Sequence, residues 1–173
     1  MSTFFDRQRL ARSRDPWDRL AGDPPDRPVD ATLKVYIGYD SRESVAFHVL
    51  AQSILRRTSL PVAIVPLMSQ TVARYTRPRD PRQSTDFSFT RFLVPYLSGY
   101  EGVSIFMDCD MLCRADIAEL AAYAGRHPEK AVLVCKHDYV PKTERKFLDQ
   151  VQTKYARKNW SSLILYNCSH PAT

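Results

Sequence analysis

The sequence predicts an α/β fold, with a mostly parallel sheet that carries helices on both faces. Apolar, β-rich runs alternate with segments of helical periodicity from Leu33 onward, which is typical of strand and helix alternation. The run VSIFM at 103–107 is apolar except for Ser104, as expected for a strand buried on both faces of a sheet. The chain has 173 residues and 44% hydrophobic content, which is enough to bury a core without disulfides.

The first predicted strand is the run LKVYIGYD, which begins at Leu33 and ends in a glycine and a polar loop. Ser41 is a candidate helix N-cap, and apolar residues follow at helical spacing through about Arg57. The apolar segment 61–67 predicts a second strand, and the polar, basic stretch 71–86, with two prolines, predicts a loop.

The second half of the chain continues this alternation. Residues 89–97 predict a helix that is broken near Pro95, and VSIFM follows as a buried strand. Helical spacing then predicts a helix over 115–123. Two further apolar runs, AVLVCK and SLILY, predict strands over 131–136 and 162–166.

Residues 1–30 differ from the remainder. They contain six arginines, six aspartates and four prolines, so their net charge is zero and the chain's excess of +6 belongs to residues 31–173. The composition predicts a flexible leader over 1–30, followed by one domain over 31–173. The alternative is an ordered arm packed by Phe4, Phe5 and Trp17.

Composition and charge limit the classes of function. No apolar run approaches the roughly 20 residues that span a bilayer, and the N-terminus does not resemble a secretory signal. The four cysteines form no CxxC pair, which favours reduced thiols and a cytoplasmic protein. The pI near 9.3 indicates an anionic partner, but no aromatic and basic motif indicates specific nucleic-acid binding.

The sharpest chemical feature is Asp108-Cys109-Asp110, directly after the strand VSIFM. A buried strand delivers the residues that follow it to the carboxyl edge of the sheet, where α/β proteins bind ligands. Two carboxylates placed together there repel each other unless a cation lies between them, and oxygen ligands suit Mg²⁺ or Mn²⁺. The alternative is a pair of aspartates in a solvated turn.

Three other positions carry candidate chemistry. Asp40 ends the first strand, where it would bind a base or ribose or cap the following helix. Arg91 lies in the apolar stretch FTRFLVPYL, where a charge requires a carboxylate or phosphate partner. His137 and Asp138 follow a strand and form a candidate acceptor-binding or acid/base pair, with a hydrogen-bonded turn as the alternative.

Taken together, four segments resemble the GT-A fold, nucleotide-sugar-dependent glycosyltransferases. The closest resemblance is to family eight, the glycogenin-like and lipopolysaccharide-galactosyltransferase-like enzymes. The segments are YIGYDSRE, STDFSFTRFLVPYL, IFMDCDMLCRADIAEL and KNWSSLILYN. The resemblance implies a Rossmann-like GT-A fold and transfer of a sugar from a UDP-sugar to a carbohydrate, lipid or protein acceptor, with retention of anomeric configuration.

The resemblance also implies roles for individual residues. Tyr39, Asp40, Arg91 and Asp108 would hold the nucleotide and donor, while Asp108 and Asp110 would bind Mn²⁺ or Mg²⁺. The stretch Trp160-Ser161, together with His137 and Asp138, would line the acceptor and sugar pocket. The family's third metal ligand is a histidine far downstream, and His170 is too early to replace it. The chain is therefore expected to be a C-terminally truncated transferase, and no catalytic nucleophile is assigned.

Other classes of function remain as alternatives. Haloacid-dehalogenase-type phosphatases also place a DxD after a strand, but they require it on the first strand, whereas here about seventy residues of the predicted fold precede it. A non-catalytic nucleotide-binding remnant and a basic polyanion-binding protein both stay open. Metal dependence of UDP binding separates these alternatives from a transferase.

Overall fold

A computed structural model describes residues 32–81, 83–136 and 160–173 of the chain. The predicted leader and the pair His137 and Asp138 lie outside these residues. In the described part, five strands and three α-helices follow one another along the chain. The strands are β1 (Leu33–Gly38), β2 (Val62–Leu67), β3 (Val103–Met107), β4 (Val132–Val134) and β5 (Leu163–Asn167), and the helices are α1 (Ser44–Leu55), α2 (Val94–Leu97) and α3 (Ile117–Gly125).

The strands form one mixed sheet in the order β2-β1-β3-β5-β4. β1 pairs in parallel with both β2 and β3, whereas β5 runs antiparallel to β3 and to β4. Four strands therefore point one way, which confirms the predicted α/β fold with a mostly parallel sheet. Because β5 runs the other way, it begins at the edge where β3 ends. Its preceding turn thus lies beside the residues that follow β3.

Both faces of the sheet are covered. On one face, Tyr36 and Ser104 share hydrogen bonds with Ser98, which follows α2. Because successive residues of a strand alternate between faces, Val35 and Ile105 point the other way. The side chains of both residues are fully buried in the hydrophobic core. The central strand β3 thus has the burial on two faces that its apolar sequence predicted.

Several element boundaries differ from those predicted. The helix expected from Ser41 begins three residues later, after a 3₁₀ turn that Asp40 caps. The stretch expected to be a helix broken near Pro95 is divided there: a 3₁₀ turn over Thr90–Leu93 ends where α2 begins at Val94, and Pro95 lies in the first turn of α2. An amide hydrogen has no intrahelical partner there, so a proline disrupts nothing.

Asp116 sets the start of α3. Its carboxylate accepts a hydrogen bond from the amide of Ala118, so it acts as the N-cap and helical geometry begins at Ile117. The same carboxylate accepts the amide of Ser59, just before β2. This contact anchors the start of α3 at the amino edge of the sheet, opposite the candidate site.

In the described residues, no helix is long and apolar enough to cross a bilayer.

Candidate functional site

The loops after β1 and β3 meet at the carboxyl edge of the sheet. The two strands are parallel neighbours, and Ile37 pairs with Met107 near their ends. Asp40 follows β1 and Asp108 follows β3, so the topology places both carboxylates at one edge. After Asp108, Cys109 is buried and Asp110 is exposed. The sequence-based expectation that polar residues gather here matches this placement.

Arg91 is the cationic centre of this edge. The residue is only 8% exposed. Its Nη1 lies 3.0 Å from Oδ1 of Asp108. The same nitrogen donates to the backbone oxygen of Ser161 at 2.7 Å and contacts its Oγ at 3.3 Å. The guanidinium carbon also lies 5.0 Å from the ring centre of Phe106 and 5.5 Å from that of Phe87. The charge in the apolar stretch thus has a carboxylate partner, one of the two alternatives that the sequence left open.

Three buried polar atoms at this edge have no hydrogen-bond partner among the described residues: Thr90 Oγ1, Arg91 Nε and Asp108 Oδ1. The close approach of Asp108 and Arg91 is an ion pair that lacks the angle of a hydrogen bond. Leaving a buried polar group unpaired costs roughly 1–3 kcal/mol, and native proteins carry only a few such groups. Two of the three atoms belong to the Arg91–Asp108 pair itself, so this pair leaves a donor of Arg91 and an acceptor of Asp108 without a hydrogen bond.

The protonation of Asp108 is strongly perturbed. About 23% of its side chain is exposed, yet Oδ1 is buried. Burial raises the pKa of this carboxyl to about 7; the Arg91 charge opposes the rise, and the charges of Asp110 and Glu43 add to it. Because a cation stabilises the ionised form, binding of a divalent ion here would lower this pKa and release a proton.

Asp40 has a different environment. It is 1% exposed, and the guanidinium of Arg42 contacts both carboxylate oxygens, at 2.9 Å and 2.6 Å. Its Oδ1 also accepts the Arg42 amide, and its Oδ2 accepts the amide of Asp86 at 3.4 Å. Hydrogen bonding to Arg42 lowers the pKa of Asp40 to about 2. The carboxylate thus performs the capping role, and its contact with a base or ribose stays a prediction.

The remaining predicted residues that the structure describes lie around this edge. Tyr39 is half-buried, and its ring lies edge-on to that of Phe47. Its backbone amide donates a hydrogen bond to the backbone oxygen of Leu67. Trp160 is 38% exposed, with its ring centre 6.3 Å from that of Phe92, and Ser161 contacts Arg91 as described. Ser162 supplies the backbone oxygen that accepts the amide of Asp108 at 2.8 Å. The strand reversal at β5 brings this turn into the site.

Sequence reasoning did not assign a role at this edge to Phe87 or to Glu43. A Cβ added to Gly38 would lie 2.4 Å from a ring carbon of Phe87, so the glycine makes room for that ring against β1. Glu43 accepts a hydrogen bond from Sγ of Cys109 at 3.3 Å. In the sequence, the glycine at the end of the first strand, Gly38, was the one sign that a bulky side chain such as that of Phe87 packs there. No sequence signal links Glu43 to Cys109.

The donor set suits a hard divalent cation with few protein ligands. Within the described ranges, no three His, Cys, Asp or Glu side chains form a cluster that could hold a metal ion. Mg²⁺ is commonly bound by one or two carboxylates together with substrate phosphates and water. Asp108 and Asp110 provide such a pair of carboxylates. The residues present are therefore compatible with a cation that a bound diphosphate helps to hold.

Comparison with known proteins gives one clear relative. No protein-family model matches the chain. Protein CDI of Arabidopsis thaliana is 45% identical over 142 residues, which cover 80% of this chain and 54% of that protein. The chain thus spans about half the length of this curated relative, whose name states no activity.

Two solved structures overlap with the fold at low sequence identity. The apo form of the bifunctional glycosyltransferase WbbM is 16% identical with a TM-score of 0.49, and the match covers 82% of this chain and 32% of WbbM. The apo form of the glycosyltransferase GlyE of Streptococcus pneumoniae is 13% identical with a TM-score of 0.40, and the match covers 80% of this chain and 34% of GlyE. Both TM-scores are below 0.5, and neither similarity assigns an activity to this chain.

Proposed function

We propose that the chain carries the donor-binding part of a metal-dependent glycosyltransferase that moves a sugar from a UDP-sugar to a carbohydrate, lipid or protein acceptor. The observation that carries the proposal is the Arg91–Asp108 ion pair at the carboxyl edge, in which Arg91 Nε and Asp108 Oδ1 have no hydrogen-bond partner among the described residues. The exposed carboxylate of Asp110 follows two residues later. Fixed positive charge, carboxylates and free hydrogen-bonding capacity together suit a diphosphate with its cation.

In this proposal Asp108 and Asp110 hold Mn²⁺ or Mg²⁺, which would neutralise charge on the departing UDP. Arg91 supplies a second, fixed positive charge to the diphosphate. Two aromatic rings and the Ser161 carbonyl hold its guanidinium, so little reorganisation is needed when the donor binds. Asp108 must lose its proton to serve the cation, which makes binding depend on pH.

The loop after β1 completes the nucleotide side of the proposed site. Arg42 fixes Asp40 and also donates to the backbone oxygen of Ser84 at 3.1 Å, which ties the 71–86 segment to the end of β1. Tyr39 presents a half-buried ring at the same end, where it could contact the nucleotide base. Trp160 and Ser161 border the opposite side and are proposed to contact the sugar or acceptor, with His137 and Asp138.

The test is calorimetric titration of the 173-residue chain with UDP, with and without Mn²⁺, together with turnover of radiolabelled UDP-sugar. We expect weak UDP binding that Mn²⁺ strengthens. Asp110→Asn should abolish the strengthening without unfolding the chain, because the side chain is exposed. Glu119→Gln is the matched control, since Glu119 is an exposed carboxylate on α3. Binding that ignores Mn²⁺ would reject the role of the two aspartates.

Polyanion binding is the second candidate function, favoured by the net charge of +6. It predicts affinity for heparin or nucleic acid that falls steeply with salt and does not depend on Mn²⁺.

A reducing, cytoplasmic location is also part of the proposal, because all four cysteines are free thiols and Cys135 is exposed.

A further inference from the structure

Exposed aromatic side chains gather on one surface of the chain. Five large aromatic side chains are exposed among the described residues, and four of them form two neighbouring ring pairs. The ring centres of Phe92 and Trp160 lie 6.3 Å apart, and those of Tyr96 and Tyr100 lie 6.4 Å apart. Single exposed hydrophobic residues are ordinary on a protein surface, whereas a contiguous group marks an interaction surface.

The backbone around the start of α2 aligns these rings. In the 3₁₀ turn that leads into α2, the amide of Phe92 donates to the backbone oxygen of Phe89. Residues three apart in a 3₁₀ turn lie on the same side of it, as do residues four apart on a helix. Phe89, Phe92 and Tyr96 therefore share one side, while Arg91 turns the other way to reach Asp108.

Uncompensated positive charge borders the aromatic rings. The guanidinium carbon of Arg77 lies 3.8 Å from the ring centre of Phe89. Arg77 belongs to the segment 68–89, which contains four arginines and two aspartates and therefore has a net charge of +2. Arg79 pairs with Asp86, whereas Arg74 and Arg77 form no ion pair within the part of the chain that the structure describes.

We propose that this surface attaches the chain to membranes that contain anionic phospholipids. The cationic aromatic surface, as we call it, consists of Arg77, Phe89, Phe92, Tyr96, Tyr100 and Trp160. Tyrosine and tryptophan rings favour the headgroup region of a bilayer, where an apolar ring and a polar tip are both accommodated. A guanidinium matches the geometry of a phosphate, and anionic lipids attract arginines that lie near the membrane surface.

The tilt of the rings favours a lipid surface over a strand of stacked bases. The ring planes are inclined by 41° in the Phe92–Trp160 pair and by 73° in the Tyr96–Tyr100 pair. Single-stranded nucleic acids stack successive flat bases on aromatic rings, and inclined rings offer no series of parallel faces for them. Lipid headgroups are fluid and pack around rings in any orientation. The exposed carboxylate of Glu101 follows Tyr100 and marks the end of the surface there.

The surface reaches the edge of the candidate site. Trp160 directly precedes Ser161, whose backbone oxygen accepts a hydrogen bond from Arg91. Attachment through this surface would therefore hold the carboxyl edge of the sheet beside the membrane. Membrane attachment does not depend on which reaction takes place at that edge.

The experiment is co-sedimentation of the 173-residue chain with two kinds of vesicle, one of phosphatidylcholine alone and one of phosphatidylcholine and phosphatidylserine in equal parts. We expect stronger binding to the mixed vesicles, and a decrease as salt is added. Arg77→Gln should weaken binding to the mixed vesicles about fivefold, because one cation near the surface is lost. Tyr96→Gln should weaken it several-fold, whereas Tyr96→Phe keeps the ring and should retain most of it.

The chain offers a matched pair of controls on α3. There the guanidinium carbon of Arg126 lies 5.1 Å from the ring centre of the exposed Tyr123, and neither residue belongs to the cationic aromatic surface. Arg126→Gln and Tyr123→Gln should therefore bind vesicles as the unaltered chain does. Thermal melting followed by circular dichroism checks that each variant keeps its fold, which is expected because Arg77 and Tyr96 are exposed.

Three results would overturn membrane attachment through this surface. The first is no sedimentation of the unaltered chain with the mixed vesicles. The second is an equal loss of binding in Arg126→Gln and Arg77→Gln, which would indicate a response to net charge alone. The third is self-association in sedimentation velocity that Tyr96→Gln abolishes, without vesicle binding, which would assign the surface to contact between two copies of the chain. None of these results changes the Mn²⁺ dependence of UDP binding, which tests the proposed function separately.

Discussion

Replacement of Asp108 by asparagine should stabilise the fold in alkaline solution. Asparagine resembles the protonated carboxyl in shape and charge, so the variant approximates an Asp108 that never ionises. Burial raises the pKa of Asp108 from 3.8 to about 7. The unfolded chain therefore ionises this group several pH units below the native chain, and folding loses stability as pH rises between these two values.

The magnitude follows from the shift. A difference of about three pKa units corresponds to about 4 kcal/mol once both states are ionised. The attraction of Arg91 is already contained in that shift, because it is one of the causes that set the native pKa. We expect Asp108→Asn to gain about 1 kcal/mol in unfolding free energy at pH 4.5 and about 4 kcal/mol at pH 8.

The assay is urea denaturation of the unaltered chain and the variant at pH 4.5, 6 and 8 in EDTA. Glu119→Gln controls for the loss of one exposed carboxylate. A stability difference that stays constant with pH would refute the reasoning. An Asp108→Asn variant less stable than the unaltered chain at pH 8 would show that the attraction of Arg91 outweighs the cost of burial.

Three further perturbations test the packing and charges around the site. Gly38→Ala should cost roughly 1–3 kcal/mol of unfolding free energy, because the new methyl group overlaps the Phe87 ring; adding Phe87→Leu should recover part of the loss in denaturant titrations. Arg91→Lys keeps the charge but loses the planar fork that contacts Asp108, so calorimetry should show Mn²⁺-dependent UDP binding weakened on the order of tenfold. Asp40→Asn should cost about 2.5 kcal/mol at pH 7, about 0.4 kcal/mol at pH 2 and nothing by about pH 1, because the stabilisation is lost as pH falls from about 4 through the lowered pKa near 2; an acid titration of stability checks this.

The strands and their ends were the most predictable features. β3 coincides with the apolar run VSIFM, and β1 ends at the glycine that the sequence marked as the end of a strand. Patterns of this kind follow from burial on two faces, which local sequence records directly. Placing Asp40 and Asp108 at one edge then required only that β1 and β3 be parallel, as the alternation of strands and helices implied, whereas the pairing of these two strands with each other is seen only in the fold.

The features that sequence did not predict depend on contacts between distant segments. The antiparallel direction of β5 brings Ser161 to Arg91, across 70 residues of sequence. The partner of Arg91 was limited to a carboxylate or phosphate by the cost of burying a charge, but only the fold selects Asp108. The Glu43–Cys109 contact is likewise a product of β1 and β3 lying side by side.

The charges at this edge favour a ligand-binding interpretation over a purely structural ion pair. In a pair that mainly stabilises a fold, each partner favours the charged form of the other, as Arg42 does for Asp40, whose pKa falls to about 2. Asp108 has a cation at 3.0 Å and its pKa nevertheless rises to about 7, so in the fold alone the ionised form is disfavoured. A second positive charge would reverse that balance, because it would offset both the burial and the repulsion from neighbouring carboxylates. The same fold therefore contains one carboxylate whose ionised form its neighbours stabilise and one whose ionised form the fold disfavours.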